Sequence, residues 1–306
     1  MTPLQSLLEI LLLQQIDSNT FQGRAEDLGW GRLFGGQVIA QAISAATQTT
    51  PENRSLHSLH SYFLRPGNVS DPVIYTVDRT RDGRSFTTRR VVATQNNTPI
   101  FHLAASYQTQ EAGFCHQNDM PQTCTPESLI SEQELSKSFL ARLDPELLKI
   151  IPEKLRARAV SPRAIEIRPV QPVHPISPTR QPPHRQVWIR TTSSLPDDPG
   201  IHRILLAYAS DFHFLATSMQ PHGVSWMTPG MQVASLDHAM WFHRPVRVDQ
   251  WLLYDVISPS ASGARGLVLG HYFTTNGDLV ATVMQEGLIR NHRDPTRSPV
   301  TRKPQQ

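Results

Sequence analysis

Residues 34–47, Phe34-Gly-Gly-Gln-Val-Ile-Ala-Gln-Ala-Ile-Ser-Ala-Ala-Thr47, carry alanine and aliphatic side chains on every side at helical spacing. A helix patterned this way is buried all round. After it come runs at 55–64, 72–80, 85–95 and 99–108, rich in β-branched and aromatic residues and separated by turn signals such as Arg81-Asp-Gly-Arg84 and Asn96-Asn97. They predict four antiparallel strands. The order then returns, with a strand at 186–190, a helix at 201–217 and strands near 232–243, 251–259, 264–274 and 279–289. Asn276-Gly277 is the hairpin signal between the last two. One buried helix followed by antiparallel strands, stated twice, predicts an α+β fold in which a curved sheet wraps each helix. That order excludes a parallel α/β sheet.

The sequence itself repeats. His60-Ser-Tyr-Phe-Leu-Arg-Pro66 returns as Ala239-Met-Trp-Phe-His-Arg-Pro245, and the same 179-residue offset lays Ile100-Phe101 on Leu279-Val280. Such a period is too long for a solenoid unit, so each copy is a domain-sized module. The predicted organisation is an N-terminal repeat at 1–109, a connection at 110–184, a C-terminal repeat at 185–292 and a disordered polar tail at 293–306. The connection holds 11 of the 25 prolines, with a helical patch at 131–143.

Composition narrows the classes. With 39% hydrophobic and 18% charged residues, the chain reads as a soluble globular protein, and its first 14 residues as an amphipathic helix lacking a basic leader. No run approaches the ~20 apolar residues of a membrane span. The net charge of +3 suits an anionic small molecule, while basic residues scattered along the chain argue against nucleic acid. Cys115 and Cys124 read as free thiols in a reducing cytosol, and a cytoplasmic location is expected.

Asp211 interrupts the apolar stretch Ile204-Leu-Leu-Ala-Tyr-Ala-Ser-Asp-Phe-His-Phe-Leu215. A carboxylate there needs either a structural partner or a catalytic task, since burying it alone is costly. A loose helix alignment sets Ala45 opposite Asp211. The 179-residue offset sets Leu56 opposite Ser235 and Ser106 opposite Gln285, so three polar groups distinguish the copies. Asp237 and His238 are adjacent on a strand and point to opposite faces, which suits structural roles. His57 and His60 are poorly placed to share a metal, and no spacing matches a zinc site, a nucleophile elbow or a phosphate loop. The glycines in Phe34-Gly-Gly-Gln37 open a helix, where backbone amides can meet an anion or a carbonyl oxygen.

Taken together, Phe34-Gly-Gly-Gln-Val38, His57-Ser-Leu-His-Ser-Tyr-Phe-Leu-Arg-Pro-Gly67, Tyr208-Ala-Ser-Asp211, Leu236-Asp-His-Ala-Met-Trp-Phe-His-Arg-Pro245 and Gln285-Glu-Gly287 resemble the acyl-CoA thioesterase II family. The resemblance spans about residues 4–292. It implies a double hotdog fold, with the two repeats joined into one continuous sheet. It also implies an acyl-CoA substrate, no cofactor and no metal, and a homo-oligomer, dimer or tetramer. In that family an Asp, a Thr or Ser hydroxyl and a Gln hold the attacking water. Matched motif to motif, these fall on Asp211, Ser235 and Gln285, giving one active site per chain with the first repeat as scaffold. Many relatives carry Thr where this chain has Ser235. A non-catalytic acyl-CoA sensor and an enoyl-CoA hydratase are the rival readings, but the hydratase motif Gly-Asp-x-Asn-Pro-x-His is absent from the sequence.

Overall fold

The burial pattern of the first long helix sets the architecture. In a computed structural model that describes residues 1–293, residues 36–46 of this helix are all buried. The first repeat contains α1 (Pro3–Leu11), β1 (Gln14–Gln15), β2 (Thr20–Gly23), α2 (Gly35–Gln48), β3 (Ser55–Phe63), β4 (Val73–Asp82), β5 (Phe86–Gln95) and β6 (Thr98–Gln108). The connection supplies α3 (Glu132–Arg142), α4 (Pro145–Ile150), α5 (Glu153–Val160) and β7 (Ile165–Pro169). The second repeat contains β8 (His184–Thr191), α6 (Pro199–Ser210), β9 (Met231–Ser235), β10 (Asp237–Phe242), β11 (Leu252–Ser262), β12 (Arg265–Thr274) and β13 (Leu279–Asn291). The tail expected beyond Arg293 lies outside the described residues.

All these strands join one antiparallel sheet in the order β1-β2-β4-β5-β6-β3-β10-β13-β12-β11-β8-β7, with β9 on the end of β13. The repeats meet at β3 and β10, where His60 pairs with Ala239 and Leu59 with Met240, while Ser61 pairs with His238. These registers are interchanged by the 179-residue offset. Because the offset also carries His60 onto Ala239, the pseudo-twofold axis passes between that pair. A single apolar core runs through both halves, including Ile39 and Ile43 of α2, Leu205 and Leu206 of α6, and Tyr75, Val91, Tyr254 and Val283 from the strands.

Four sequence expectations change. The helix expected at 201–217 ends at Ser210, because His213 adopts a left-handed backbone (φ 59°) and the chain restarts as a 3-10 helix over Leu215–His222. The strand expected at 232–243 breaks at Leu236 into β9 and β10, and the equivalent His57 marks the irregularity between β3 and β6. The connection, expected to hold a helical patch, also contributes a strand, since β7 pairs with β8. Four-residue β2, too short to show a period, was not predicted, yet it borders β4 as β8 borders β11.

The repeat offset also drifts. The β5–β6 hairpin turns through two residues, Asn96 and Asn97, both with positive φ, as a two-residue hairpin turn requires. Its counterpart spends three residues, ending on Gly277 at φ 88°. Beyond that turn the structural offset is 180. The Leu64 amide bonds the Ile100 carbonyl, and the His243 amide bonds the Val280 carbonyl. Ile100 therefore matches Val280, not Leu279. Likewise Gln285 lies opposite Ala105 rather than Ser106, and both Gln285 and Ala105 face the core.

Candidate active site

The ends of two helices create the site. Asp211 is the C-cap of α6, where the helix dipole disfavours a carboxylate. The start of α2 offsets this, because the Gly36 amide donates to Asp211 Oδ2 at 3.0 Å. The double glycine is what permits the approach. A Cβ on Gly35 would stand 2.6 Å from Asp211 Oδ2, and one on Gly36 would collide with the Tyr208 carbonyl. The helix-start amide anticipated as an anion site is thus taken by the protein's own carboxylate.

Two other expected residues converge on Asp211. The Ser235 and Gln285 side chains lie close enough to its carboxyl to favour the ionised form, and Gln285 Nε2 donates to Ser235 Oγ at 2.9 Å. Gln285 is fully buried on β13, whereas Ser235, at the end of β9, is partly open. The break at Leu236 separates Ser235 from β10. Burial raises the pKa of Asp211 to about 7, against the pull of the Gly36 amide, Gln285 and Ser235. Such a carboxyl exchanges its proton near neutrality.

Behind this trio lies a layer that sequence reasoning assigned only to structure. Asp237 and His238 do point to opposite faces. Asp237 Oδ1 accepts from the Glu286 amide, while His238 is fully buried. His238 Nδ1 lies 2.6 Å from Gln285 Oε1, and its Nε2 lies 2.9 Å from Ser210 Oγ. Burial pushes its pKa down to about 4, partly countered by Gln285, so the imidazole is neutral. Ser210 was not singled out in the sequence; its adjacency to Asp211 was the available signal.

The connection also reaches the site. Glu132 of α3 bonds His213 Nε2 at 2.9 Å and Arg163 at 2.8 Å, fastening the left-handed turn two residues after Asp211. Cys115 and Cys124 are free and exposed. Among the described residues, no cluster of three or more His, Cys, Asp or Glu could hold a metal ion, and no helix is long and apolar enough to cross a membrane.

A helix-wrapped antiparallel sheet stated twice, with a desolvated carboxyl beside a hydroxyl and an amide, defines the class: a double hotdog thioester hydrolase. The chain matches the family profiles described as acyl-CoA thioesterase (residues 157–288) and acyl-CoA thioesterase N-terminal domain (residues 24–108). It belongs to the acyl-CoA thioesterase family. It is 41% identical over 287 residues to acyl-CoA thioesterase 2 of Haemophilus influenzae, covering 94% of this chain and 98% of that one. It is similar to the crystal structure of the acyl-CoA thioesterase II TesB2 from Mycobacterium marinum at 39% identity and a TM-score of 0.75, covering 93% of this chain and 98% of the other. A protein with hot dog fold from Alicyclobacillus acidocaldarius, at 18% identity, shares the fold with a TM-score of 0.72, covering 93% of this chain and 98% of that one.

Proposed function

We propose that this chain hydrolyses medium- to long-chain acyl-CoA to free fatty acid and CoA, by direct attack of a water held by Asp211, Ser235 and Gln285. The observation that carries the reading is the convergence of Ser235 and Gln285 on the Asp211 carboxyl, whose pKa stands near 7. The water takes over donor and acceptor positions that the three side chains now offer one another. Asp211 removes its proton, Ser235 and Gln285 orient its lone pair, and the oxygen adds to the thioester carbonyl. The tetrahedral intermediate then expels the thiolate, which leaves readily, so no covalent enzyme intermediate is required. The positive end of α2, already turned toward Asp211, favours negative charge in this region.

One site per chain is part of the proposal, because Ala105 and Leu56 occupy the first-repeat positions of Gln285 and Ser235. So are the four-part division of the chain at 109, 184 and 292, a homo-oligomeric state, dimer or tetramer, and a cytoplasmic location. The deciding experiment measures thiol release from saturated acyl-CoA of increasing length. Turnover that rises with medium and long chains is expected. Binding of acyl-CoA without thiol release at any length would favour the sensor, and hydration of an enoyl-CoA would favour the hydratase.

A further inference from the structure

His238 touches neither solvent nor Asp211, yet its two ring nitrogens bridge Ser210 and Gln285. The Ser61 hydroxyl pins its backbone by donating to the His238 carbonyl at 2.8 Å, and the Phe214 ring packs edge-on at 6.0 Å between centroids. The ring has little freedom. What remains open is where its hydrogens lie, and hydrogen counting decides it.

A neutral imidazole carries one N–H. The Ser210 hydroxyl has a single hydrogen but two neighbours in range, the Ala207 carbonyl at 2.8 Å and His238 Nε2 at 2.9 Å. If the ring hydrogen were on Nε2, it would donate to Ser210 Oγ, and Ser210 would donate to Ala207. Nδ1 would then be a bare lone pair 2.6 Å from Gln285 Oε1, an arrangement of two acceptors. To relieve it the Gln285 amide would have to turn over. Its nitrogen would leave Ser235, and its oxygen would face the Asp211 carboxyl. If instead the hydrogen is on Nδ1, the side-chain contacts from Ser210 to Asp211 all run in one direction, and only the Ser210 bond to the Ala207 carbonyl is given up. Ser210 donates to His238, His238 to Gln285 and Gln285 to Ser235, with the carboxylate of Asp211 as the final acceptor. Chains polarised in one direction strengthen each member.

We propose that His238 is a positioning residue, whose Nδ1–H holds Gln285 with its amide nitrogen turned toward Ser235 and Asp211. This rests on Gln285 being one of the water-holding groups. The burial that keeps the ring neutral supports it, since an imidazolium would donate from both nitrogens and lose the direction of the chain. Misplacing a reacting group by about an ångström can cost about 100-fold in rate, even when the changed residue touches no substrate.

The test has two arms. In the first, the full protein is labelled with 15N-imidazole histidine and observed by NMR across its active pH range. The expected His238 signature is a protonated Nδ1 and a bare Nε2 at every pH. A hydrogen on Nε2, or a ring that becomes imidazolium while the enzyme is active, overturns the proposal. In the second, His238→Leu lowers kcat at least about tenfold per folded molecule with KM little changed, and His238→Asn, which returns an N–H near Nδ1, recovers most of that loss. Equal kcat per folded molecule in the two variants overturns the positioning role. Gln285→Ala separates this outcome from failure of the site itself. If Gln285→Ala leaves turnover intact the proposed site fails; if it abolishes turnover while both His238 variants match wild type, only the role of His238 fails.

Discussion

The Gly36 amide and the Asp211 carboxylate are joined by a 3.0 Å hydrogen bond across 175 positions of sequence, from one repeat to the other. The first repeat is therefore more than a scaffold. It supplies a partner to the carboxyl at the centre of the proposed site, and two side-chain-free positions that let α2 close on the end of α6.

Replacing those glycines should separate fold from function. Gly36→Ala drives a methyl into the Tyr208 carbonyl, so it is expected to cost about 1–3 kcal/mol of stability. Gly35→Ala meets the movable end of the Asp211 side chain first, at 2.6 Å, and the Phe63 ring at 3.0 Å, with no backbone atom in the way. Its expected effect is a loss of turnover larger than its loss in urea midpoint. Denaturation and thiol-release assays on both variants check the contrast.

Asp211→Asn and Gln285→Ala are expected to lower kcat by about a hundredfold or more while sparing the fold. Asp211→Asn removes a charge that burial disfavours, so near pH 8 its stability should equal or exceed wild type by about 1 kcal/mol. Melting curves and steady-state kinetics on the same preparations test both halves.

The pH profile has a defined sign. A general base works only when deprotonated, so kcat/KM should fall as pH drops through about 7, the raised pKa of Asp211. The same group acts oppositely on stability. Its folded pKa lies above its unfolded value, so its contribution is most favourable below about 3.8 and is lost as pH rises through about 7. A pH series of initial rates beside a pH series of unfolding midpoints will show whether the two trends diverge.

Glu132 tests the reach of the connection. Burial works against its charge, but His213, Arg163 and Arg185 more than compensate and hold its pKa at about 2. Its stabilising contribution is present above about 4.5 and lost as pH falls toward 2. Glu132→Ala should cost about 2 kcal/mol at neutral pH and slow turnover further by loosening the turn after Asp211. Urea titration with kcat measured on the folded fraction resolves the two effects.

Much of this molecule is written locally. Alanine on all sides of residues 35–48 dictates a buried helix whatever surrounds it, and Asn96-Asn97 dictates a two-residue hairpin because both must take positive φ. The motifs around Asp211, Ser235 and Gln285 were visible because each breaks an apolar pattern or belongs to a recognisable string. Less visible was the end of α6. Its apolar spacing continues through Leu215, and only the left-handed His213, fastened from α3, stops the helix.

By itself, then, the sequence determined the long helices and most strands of the two repeats, their duplication and the residue types available for chemistry, since periodicity and turn preference act over a few neighbouring positions. Only the tertiary structure decided which groups meet. An extra turn residue moved Gln285 from Ser106 to Ala105, and the close approach of α2 to α6 brought the Gly36 amide to Asp211. The pleat turned His238 inward, where Ser210 and Gln285 receive it. Those contacts depend on the packing of segments far apart in the chain, and no local pattern encodes such distances.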